Sequence, residues 1–374
     1  DPRLADWGLD PETGELDRAL MESWAYSGTH EMAVLSRQVV EAIHAETVRY
    51  AYFQGSSGGG RQAVAQAQRY PNDYDGLWAA EPAERFSRMA LIGMWPALVM
   101  NNERNPLAAA KLAAFREAYI EAAARTGHPT PNADLKPLDW NPQDVVGAST
   151  AAGPITATDA EVVAKIWGGP HRRNGEPLAA PMLPSTAYEG ALLGPGMGLA
   201  TTTELDGRVT PVPFVFSEAF LRAWVKRDPA WDWTTLDYDE YESLFDQAIA
   251  DFGWLDTPAD LADFARSGAK LLLTHGTGDE FIHPQLVVDF HHDVVVAAES
   301  PEQTASCVAF FLCAGDSHSM IPADTPGVAL ATGMSALMNW VEYGIAPDSL
   351  LGEQYDADGT TIVATVDFPR FQPR

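Results

Sequence analysis

Two adjacent serines stand inside a run of glycines, in the stretch YAYFQGSSGGGRQAVAQAQRYPND that spans residues 50–73. Gly55, Ser57 and Gly59 satisfy the pattern G-x-S-x-G, in which the central serine occupies a sharp turn between a strand and a helix. Such a turn points the hydroxyl of Ser57 out at the carboxyl end of the sheet and presents the N–H of Gly58 to a developing oxyanion. The stretch therefore predicts Ser57 as a nucleophile and Gly58 as an oxyanion donor.

A flexible linker is the alternative interpretation of this run. In a flexible glycine–serine linker, the residues that flank the run would be polar on both sides. Here the run VRYAYFQG, rich in β-branched and aromatic residues, precedes the glycines, and the helical pattern RQAVAQAQRYP follows them. The flanking sequence favours the strand–turn–helix interpretation.

A serine hydroxyl needs a base, and the base needs an orienting carboxylate, so a histidine and an acid are expected farther along the chain. Asp279 follows the apolar run AKLLLTHG at 269–276, and His318 follows the apolar run SCVAFFLCAG at 306–315. Short apolar runs of this kind form buried parallel strands, whose carboxyl ends meet at one edge of the sheet. The order Ser57, Asp279, His318 therefore predicts a catalytic triad.

Four neighbouring side chains are alternatives for the base and the acid. His275 lies at the end of a predicted strand, which favours a structural hydrogen-bonding role. His283 precedes Pro284, which favours a position in a loop or at a helix entry. Glu280 and Asp316 lie beside the favoured acid and base in sequence and remain open alternatives.

The elements around these residues predict an α/β fold with a mostly parallel, doubly wound sheet. A strand, a glycine turn, a helix and the short apolar run YDGLWAAEPA form a βαβ pattern. Residues 28–46 have apolar positions at helical spacing, PQLVVDFHHDVVVAA supplies a crossover helix, and TPGVALATGMSALMNWVEYG predicts a closing helix that ends at Gly344.

The stretch from residue 86 to residue 245 differs in character and predicts an inserted, mostly helical domain. It is rich in Ala, Pro and Trp, and it shows no clear strand alternation. Its most loop-like parts are HPTPNADLKPLDWNPQD and LLGPGMGLATTTELDG. The predicted organisation is a core formed by residues 1–85 and 246–374, with residues 86–245 inserted into it.

The composition excludes several classes of partner. The chain of 374 residues carries 24 Lys and Arg against 52 Asp and Glu, a net charge of -28. So acidic a surface repels phosphate backbones and anionic lipids, so neither nucleic acid nor a membrane surface is expected as a partner. No apolar run approaches the roughly 18–20 residues that span a bilayer.

The two cysteines, Cys307 and Cys313, lie six residues apart in one apolar run. On a strand they would share a face at a distance of roughly 20 Å, which is too far for a bond, so no disulfide is expected. The first residues, DPRLADWGLDPETG, show no signal peptide, initiator Met or opening strand. We expect either a processed or trimmed chain or a numbering that starts late, and the sequence leaves a secreted and a cytoplasmic location equally open.

Several stretches together resemble the tannase/feruloyl esterase family of serine hydrolases, which includes mono(hydroxyethyl) terephthalate hydrolase. They are YFQGSSGGGRQAVAQAQRYPNDYDGLWAAEPA, ITATDAEVVAKIWGGPHRRNGEPL, KRDPAWDWTTLDYD, GAKLLLTHGTGDEFIHP, AGDSHSM and LMNWVEYGIAPDSL, in the family's order. The resemblance implies an α/β-hydrolase core with a large lid, and it implies Ser57 as nucleophile, Asp279 as orienting acid and His318 as base.

The chain departs from the family in three respects. The family usually has a disulfide between a cysteine before the nucleophile and one after the catalytic histidine, and these positions are Ser56 and Ser319 here. Family lids often bind calcium, but ARTGHPTPNADLKPLDWNP lacks closely spaced carboxylates, so we expect no metal and no other cofactor. The family's N-terminal part, implied to supply core strands and a second oxyanion donor, has no counterpart before residue 1, so another segment or chain is expected to supply it.

The function predicted is hydrolysis of carboxylic esters through an acyl-enzyme, on a small or polymer-derived ester of an aromatic or phenolic acid such as a feruloyl, galloyl or terephthaloyl ester. A non-catalytic binding protein on the same fold, an acyltransferase and a lactonase are the alternatives. Five tryptophans of the insertion could line an aromatic pocket, although burial in its core is the more common role of this residue: Trp140, Trp167, Trp224, Trp231 and Trp233. Four cations could meet a substrate carboxylate: Arg172, Arg173, Arg222 and Lys226.

Overall fold

The computed structural model describes residues 5–127, 135–190, 196–318, 325–356 and 358–372. The helices of this part of the chain are α1 Arg18–Glu22, α2 Gly28–His44, α3 Gly58–Arg69, α4 Phe86–Asn102, α5 Ala109–Arg125, α6 Ala157–Gly168, α7 Val215–Ala219, α8 Tyr238–Phe252, α9 Ala262–Ser267, α10 Gln285–Ala297, α11 Pro301–Cys307 and α12 Leu330–Tyr343. The strands are β1 Tyr52–Ser56, β2 Gly76–Ala80, β3 Ser149–Thr150, β4 Gly153–Pro154, β5 Thr201–Leu205, β6 Arg208–Val212, β7 Lys270–Gly276, β8 Val308–Cys313, β9 Gly327–Val328, β10 Ser349–Tyr355 and β11 Ile362–Pro369.

The chain divides into two compact units. We call Arg18–Arg85 with Leu255–Arg374 the sheet unit, and Asp1–Asp17 with Phe86–Trp254 the inserted unit. These bounds differ from the predicted core of 1–85 and 246–374. The indole of Trp224 donates to the Ala5 carbonyl at 2.8 Å, which ties the start of the chain to the inserted unit. Helix α8 continues past residue 245 to Phe252, which moves the second boundary. The role of the inserted unit as a lid stays a prediction.

A four-stranded parallel sheet in the order β1-β2-β7-β8 forms the centre of the sheet unit. Its ends are in register, since Ser56 pairs with Ala80, Ala80 with Thr274, and Gly276 with Cys313. Strands β2 and β8 are buried along their whole length, and so is β7 after its first residue. The predicted parallel sheet with helical crossovers is confirmed, and all four strands end at the same edge.

Two predictions about the end of the sheet unit are wrong. The predicted strand 306–315 begins only at Val308, because α11 runs to Cys307. The side chain of Ser300 accepts from the N–H of Gln303, and Pro301 takes the first helical turn, which together start this helix. Both cysteines are free, as expected, and both are buried.

The predicted closing helix ends at Gly344, with φ of 72°, but it does not close the fold. Strands β10 and β11 follow it and form a three-stranded antiparallel sheet with β9.

The inserted unit is mainly helical around α4, α5, α6 and α8, with two small hairpins. The stretch LLGPGMGLATTTELDG, predicted to be loop-like, contains β5, which pairs with β6 from Thr201 with Val212 to Leu205 with Arg208. Apart from half-buried Arg88, helix α4 is buried from Phe86 to Met100, so it forms the core of this unit. Within the described ranges, none of the helices is long and apolar enough to cross a membrane.

Candidate active site

Ser57 stands alone between β1 and α3, on a strained turn. Its φ is 58° and its ψ is -119°, a conformation that a residue with a side chain rarely adopts. Its N–H donates to the Ala80 carbonyl at 3.0 Å, and its carbonyl accepts from the N–H groups of Arg61 and Ala83, both at 3.0 Å. The turn is therefore held by the chain on both sides, and Ser57 remains half-buried at the carboxyl edge of the sheet.

Close backbone contacts explain two of the glycines in this turn. A Cβ on Gly55 would lie 2.4 Å from the backbone of Gly59, and a Cβ on Gly60 would lie 2.5 Å from the Ala80 carbonyl oxygen. A Cβ on Gly58 or Gly59 would meet nothing within 4 Å. The strand must therefore pass close under the first turn of α3, and exposed Gly58 stands at the helix start, where N–H groups lack partners within the helix.

Asp279 and His318 meet at the ends of neighbouring strands β7 and β8. Nδ1 of His318 lies 2.8 Å from Oδ2 of Asp279, and the other carboxylate oxygen accepts from the N–H groups of Phe281 and Ile282, each at 2.8 Å. Asp279 is fully buried, and the His318 side chain is 8% exposed. The carboxylate is therefore fixed by its own loop and holds the imidazole through one nitrogen, which leaves Nε2 for other partners.

The charges of this pair stabilise each other. Burial alone would raise the pKa of Asp279, but the charge and the hydrogen bond of His318 outweigh it, and the pKa of the acid is lowered. Burial would likewise lower the pKa of His318, but Asp279, Glu81 and Glu280 outweigh it and raise that pKa to about 9. The arrangement suits an imidazole that must carry a positive charge during a reaction.

Backbone hydrogen bonds join the loop that carries His318 to the loop that carries Asp279. The N–H of Thr277 donates to the Cys313 carbonyl at 2.9 Å, and that of Gly278 donates to the Asp316 carbonyl at 2.8 Å. The N–H of His318 itself donates to a carboxylate oxygen of Glu280 at 3.1 Å. Consecutive acids, Asp279 and Glu280, thus hold the side chain and the backbone of the same histidine.

The structure assigns structural positions to both rival histidines. His275 is fully buried, and its Nε2 lies 3.1 Å from the Ile282 carbonyl oxygen and 3.3 Å from Oδ2 of Asp279. Burial lowers the pKa of His275, which favours the neutral form of its ring. His283 is 2% exposed, and its Nδ1 accepts from the N–H of Gln285 at the start of α10. Neither ring is open to a substrate.

The hydroxyl of Ser57 makes no hydrogen bond with His318 within the described residues. Nucleophile and base are often farther apart before a substrate binds. Ser57 follows β1, whereas Asp279 and His318 follow β7 and β8, and the four parallel strands end at one edge. The structure therefore joins the acid to the histidine and places the serine at the same edge. The assignment of a triad remains a proposal.

A third acid, Glu81, lies beside this group and was not found from the sequence. It follows β2, is 4% exposed, and accepts from the Ser56 hydroxyl at 3.1 Å. The sequence does contain a signal for this residue. Glu81 directly follows the apolar run GLWAA, and a glutamate at the end of a buried strand is unusual. Ser319, the other position implied to have lost a cysteine, lies outside the described residues.

Metal ligands are not gathered anywhere in the described ranges, where no group of three or more His, Cys, Asp or Glu side chains could hold an ion. The stretch judged too poor in carboxylates for calcium lies partly in residues 128–134, outside the described ranges. The absence of a metal and of a cofactor stays a prediction.

The aromatic and basic residues considered for a substrate pocket have partners within the inserted unit. Trp224 is 2% exposed and packs against Phe220 and Phe252, and Trp140 packs against Trp167. The four cations are all paired with acids: Arg172 with Asp246, Arg173 with Asp239, Arg222 with Asp6 and Glu218, and Lys226 with Glu240. Core packing therefore accounts for Trp224, and ion pairs account for the four cations. The other four tryptophans are half-buried: Trp140, Trp167, Trp231 and Trp233.

Comparison with known proteins identifies the class. Residues 8–371 match the family model described as tannase and feruloyl esterase. The match covers nearly the whole chain, so the chain belongs to this family, which places it among the carboxylic ester hydrolases.

Two curated relatives are fungal. The chain is 31% identical over 380 residues to a probable feruloyl esterase of Arthroderma benhamiae, a match that covers 99% of this chain and 69% of the relative. It is 25% identical to a probable feruloyl esterase B-2 of Aspergillus terreus, with 92% of this chain and 66% of the relative covered. The chain thus spans about two thirds of the length of these relatives.

Two solved structures share the fold. Tannin acyl hydrolase from Aspergillus niger superposes with a TM-score of 0.81 at 19% identity, covering 98% of this chain and 70% of that chain. Feruloyl esterase B from Aspergillus oryzae superposes with a TM-score of 0.76 at 22% identity, covering 95% and 72%. The predicted α/β-hydrolase fold class is confirmed.

Proposed function

We propose that the chain hydrolyses esters through a covalent acyl-enzyme, with Ser57 as nucleophile, His318 as general base and Asp279 as the acid that orients it. The observation that carries the proposal is the 2.8 Å contact between Nδ1 of His318 and Oδ2 of Asp279. It joins a buried carboxylate to a histidine through Nδ1, and Ser57 stands on a strained turn at the same sheet edge.

The chemistry proceeds in two transfers. Nε2 of His318 takes the proton of the Ser57 hydroxyl as Oγ attacks the ester carbonyl, and the imidazolium returns this proton to the leaving alcohol when the C–O bond breaks. Water then attacks the acyl-enzyme, with His318 again as base, and releases the carboxylic acid. Asp279 holds the tautomer with the proton on Nδ1 and stabilises the imidazolium.

The N–H of Gly58 supports the oxyanion in both steps. Gly58 begins α3, whose first N–H groups carry the positive end of the helix dipole. Residue 58 is an exposed glycine, so it has no side chain of its own to narrow the approach to this N–H. A tetrahedral oxyanion formed on Ser57 therefore meets a fixed donor without reorganisation of the protein.

We propose esters of phenolic acids as the substrate class. The support is the naming of the relatives, which are probable feruloyl esterases, and of the structural neighbours, a tannin acyl hydrolase and a feruloyl esterase. Methyl ferulate and methyl gallate are therefore the first substrates to test, with an aliphatic ester such as ethyl butyrate as the comparison.

The test is the hydrolysis of methyl ferulate by Ser57→Ala, with Ser306→Ala as the matched control. Ser306 is exposed, and its hydroxyl donates to a carbonyl within α11. We expect Ser57→Ala to lose at least about a thousandfold in kcat, and Ser306→Ala to keep the wild-type rate. Hydrolysis by Ser57→Ala at the wild-type rate would refute the assignment, and a wild-type protein that binds the ester without cleaving it would favour a binding protein.

A further inference from the structure

Glu81 combines several features that cost stability. It follows the buried strand β2, and its φ is 39°, in the left-handed region that side chains disfavour. The residue is 4% exposed, so its carboxyl group is held away from the water that would solvate a charge. Its N–H donates to the Thr274 carbonyl at 2.9 Å, which fixes the turn to β7. A glutamate held in this way calls for a functional explanation.

The turn that carries Glu81 is also the turn that holds the nucleophile. The N–H of Ser57 donates to the carbonyl of Ala80, directly before Glu81, and the N–H of Ala83 donates back to the Ser57 carbonyl. The Ser56 hydroxyl donates to Oε2 of Glu81 at 3.1 Å. Backbone and side-chain bonds from one short turn thus reach both Ser56 and Ser57.

The charge of Glu81 acts on the proposed base. Burial raises the pKa of Glu81 to about 7, although the charge of His318 acts to lower it. Glu81 in turn contributes to the raised pKa of His318. The two groups therefore attract each other when both are charged, so protonation of the imidazole favours ionisation of this carboxyl group.

From these contacts we propose that Glu81 is a positioning residue for the ester hydrolysis proposed above, on which this inference rests. Through Ser56 and the backbone it fixes the turn that presents Ser57, and through its charge it stabilises the imidazolium form of His318. It exchanges no proton with the substrate. In the attack, the proton of Ser57 moves to His318, and Glu81 supplies a second negative charge beside Asp279.

The other titratable groups that face Glu81 are either committed to other partners or neutral, so the positioning role falls to Glu81. They are His318, Asp279, Glu280, Asp316 and Cys313. Asp279 is committed to Nδ1 of His318, and Glu280 accepts from the His318 backbone N–H. Burial raises the pKa values of Asp316 and Cys313 well above their usual range, so both groups are neutral. Glu81 is the carboxyl group in this set that binds the serine beside the nucleophile.

The test compares Glu81→Gln with Glu84→Gln. Glu84 is a matched control, because it is fully buried, its pKa is likewise raised to about 7, and it faces Arg61, Asp256 and Thr257. The readout is the NMR titration of the His318 imidazole, assigned by its loss in His318→Gln. We expect the pKa of His318 to fall by on the order of one pH unit in Glu81→Gln and to stay unchanged in Glu84→Gln.

A second variant separates the charge from the fold. Glu81→Asp keeps the carboxylate, and aspartate tolerates a left-handed φ better than most residues. We expect this variant to return the His318 titration toward the wild-type value. An unchanged His318 titration in Glu81→Gln, or a Glu81→Asp variant that titrates like Glu81→Gln, would overturn the proposal.

The pH profile of kcat/KM for methyl ferulate gives the link to the reaction. In Glu81→Gln the acid limb should move to lower pH with the histidine, while KM changes less than kcat. The NMR titration needs no turnover, so this inference and the proposed function can fail separately. Hydrolysis by Ser57→Ala at the wild-type rate would refute the proposed function. A His318 titration that does not respond to Glu81→Gln would refute this inference.

Discussion

Oδ2 of Asp279 and Nδ1 of His318 lie 2.8 Å apart, although 39 residues separate them in the chain. The pairing of β7 with β8 brings the two loops together, and the N–H of His318 donates to Glu280, the residue after the acid. Rotation of the imidazole away from the acid would break the side-chain bond inside a buried site. The relationship therefore fixes both the position and the tautomer of His318, the proposed base.

Replacement of Asp279 by Asn tests that relationship. Asn keeps the shape of the acid but favours the wrong tautomer of His318 and removes the charge that stabilises the imidazolium. We expect kcat for methyl ferulate to fall by roughly 10³- to 10⁴-fold with little change in KM, as the loss of the orienting acid does in a serine protease triad. Asp293→Asn is the control, because the side chain of Asp293 is exposed on α10. Equal rates for the two variants would argue against the role of Asp279.

The pH dependence of activity follows from the raised pKa of His318. A general base must be neutral, and the acids around the imidazole hold its pKa at about 9, so the neutral form of the free protein increases up to that pH. We expect kcat/KM to rise with pH across the neutral range and to level off near pH 9. The check is a profile with an ester whose leaving group does not titrate. A plateau already reached at pH 6 would show that the acids do not hold the histidine charged.

Stability should depend on pH in the opposite sense because of Glu84. Burial raises its pKa to about 7, so the folded state favours the neutral acid. This contribution to stability is complete below the pKa of about 4.3 that the group has in the unfolded chain. It is lost as pH rises through about 7, a loss of about 4 kcal/mol. Arg61, whose pKa burial lowers to about 10, stays charged throughout.

The measurement is urea unfolding at pH 5 and pH 8. We expect Glu84→Gln to cost more stability at pH 5 than at pH 8, because Gln replaces a neutral acid at the lower pH and a disfavoured carboxylate at the higher one. The exposed Glu121 provides a control, since Glu121→Gln should show no such difference. A cost for Glu84→Gln that is equal at both pH values would contradict the expectation.

The close approach of strand and helix at the turn predicts unequal effects of alanine. A Cβ on Gly55 would lie 2.4 Å from the backbone of Gly59, whereas a Cβ on Gly59 would meet nothing within 4 Å. We expect Gly55→Ala to lower the free energy of unfolding by about 1–3 kcal/mol or more and to disturb the turn of Ser57, and Gly59→Ala to fold normally. Chemical denaturation of both variants decides the matter. Equal stability would mean that the turn relaxes without cost.

The sequence predicted what rests on local pattern. The parallel strands, the helix after the glycines and the order Ser57, Asp279, His318 all follow from short apolar runs and from the residues that end them. Ser300 and Pro301 give a helix-starting signal for α11, but the apolar run that begins at Ser306 hides the end of this helix at Cys307.

Long-range packing accounts for what was missed. The hairpin of β10 and β11 has few buried residues, Leu350, Gly352 and Phe368, so its apolar pattern is weak. The role of Glu81 depends on its burial against Ser56 and on its charge beside His318, and neither can be derived from the residues next to it in the chain.

The most direct test of the account is covalent labelling of Ser57. The protein is treated with a fluorophosphonate at pH 8, digested, and analysed by mass spectrometry, with His318→Gln and His292→Gln treated in parallel. His292 is exposed on α10 and serves as the matched histidine control. The account predicts an adduct on the peptide that contains Ser57, at Ser57 itself, in the wild type and in His292→Gln, with labelling strongly reduced in His318→Gln. An adduct at another residue, or labelling of Ser57 that does not depend on His318, would contradict it.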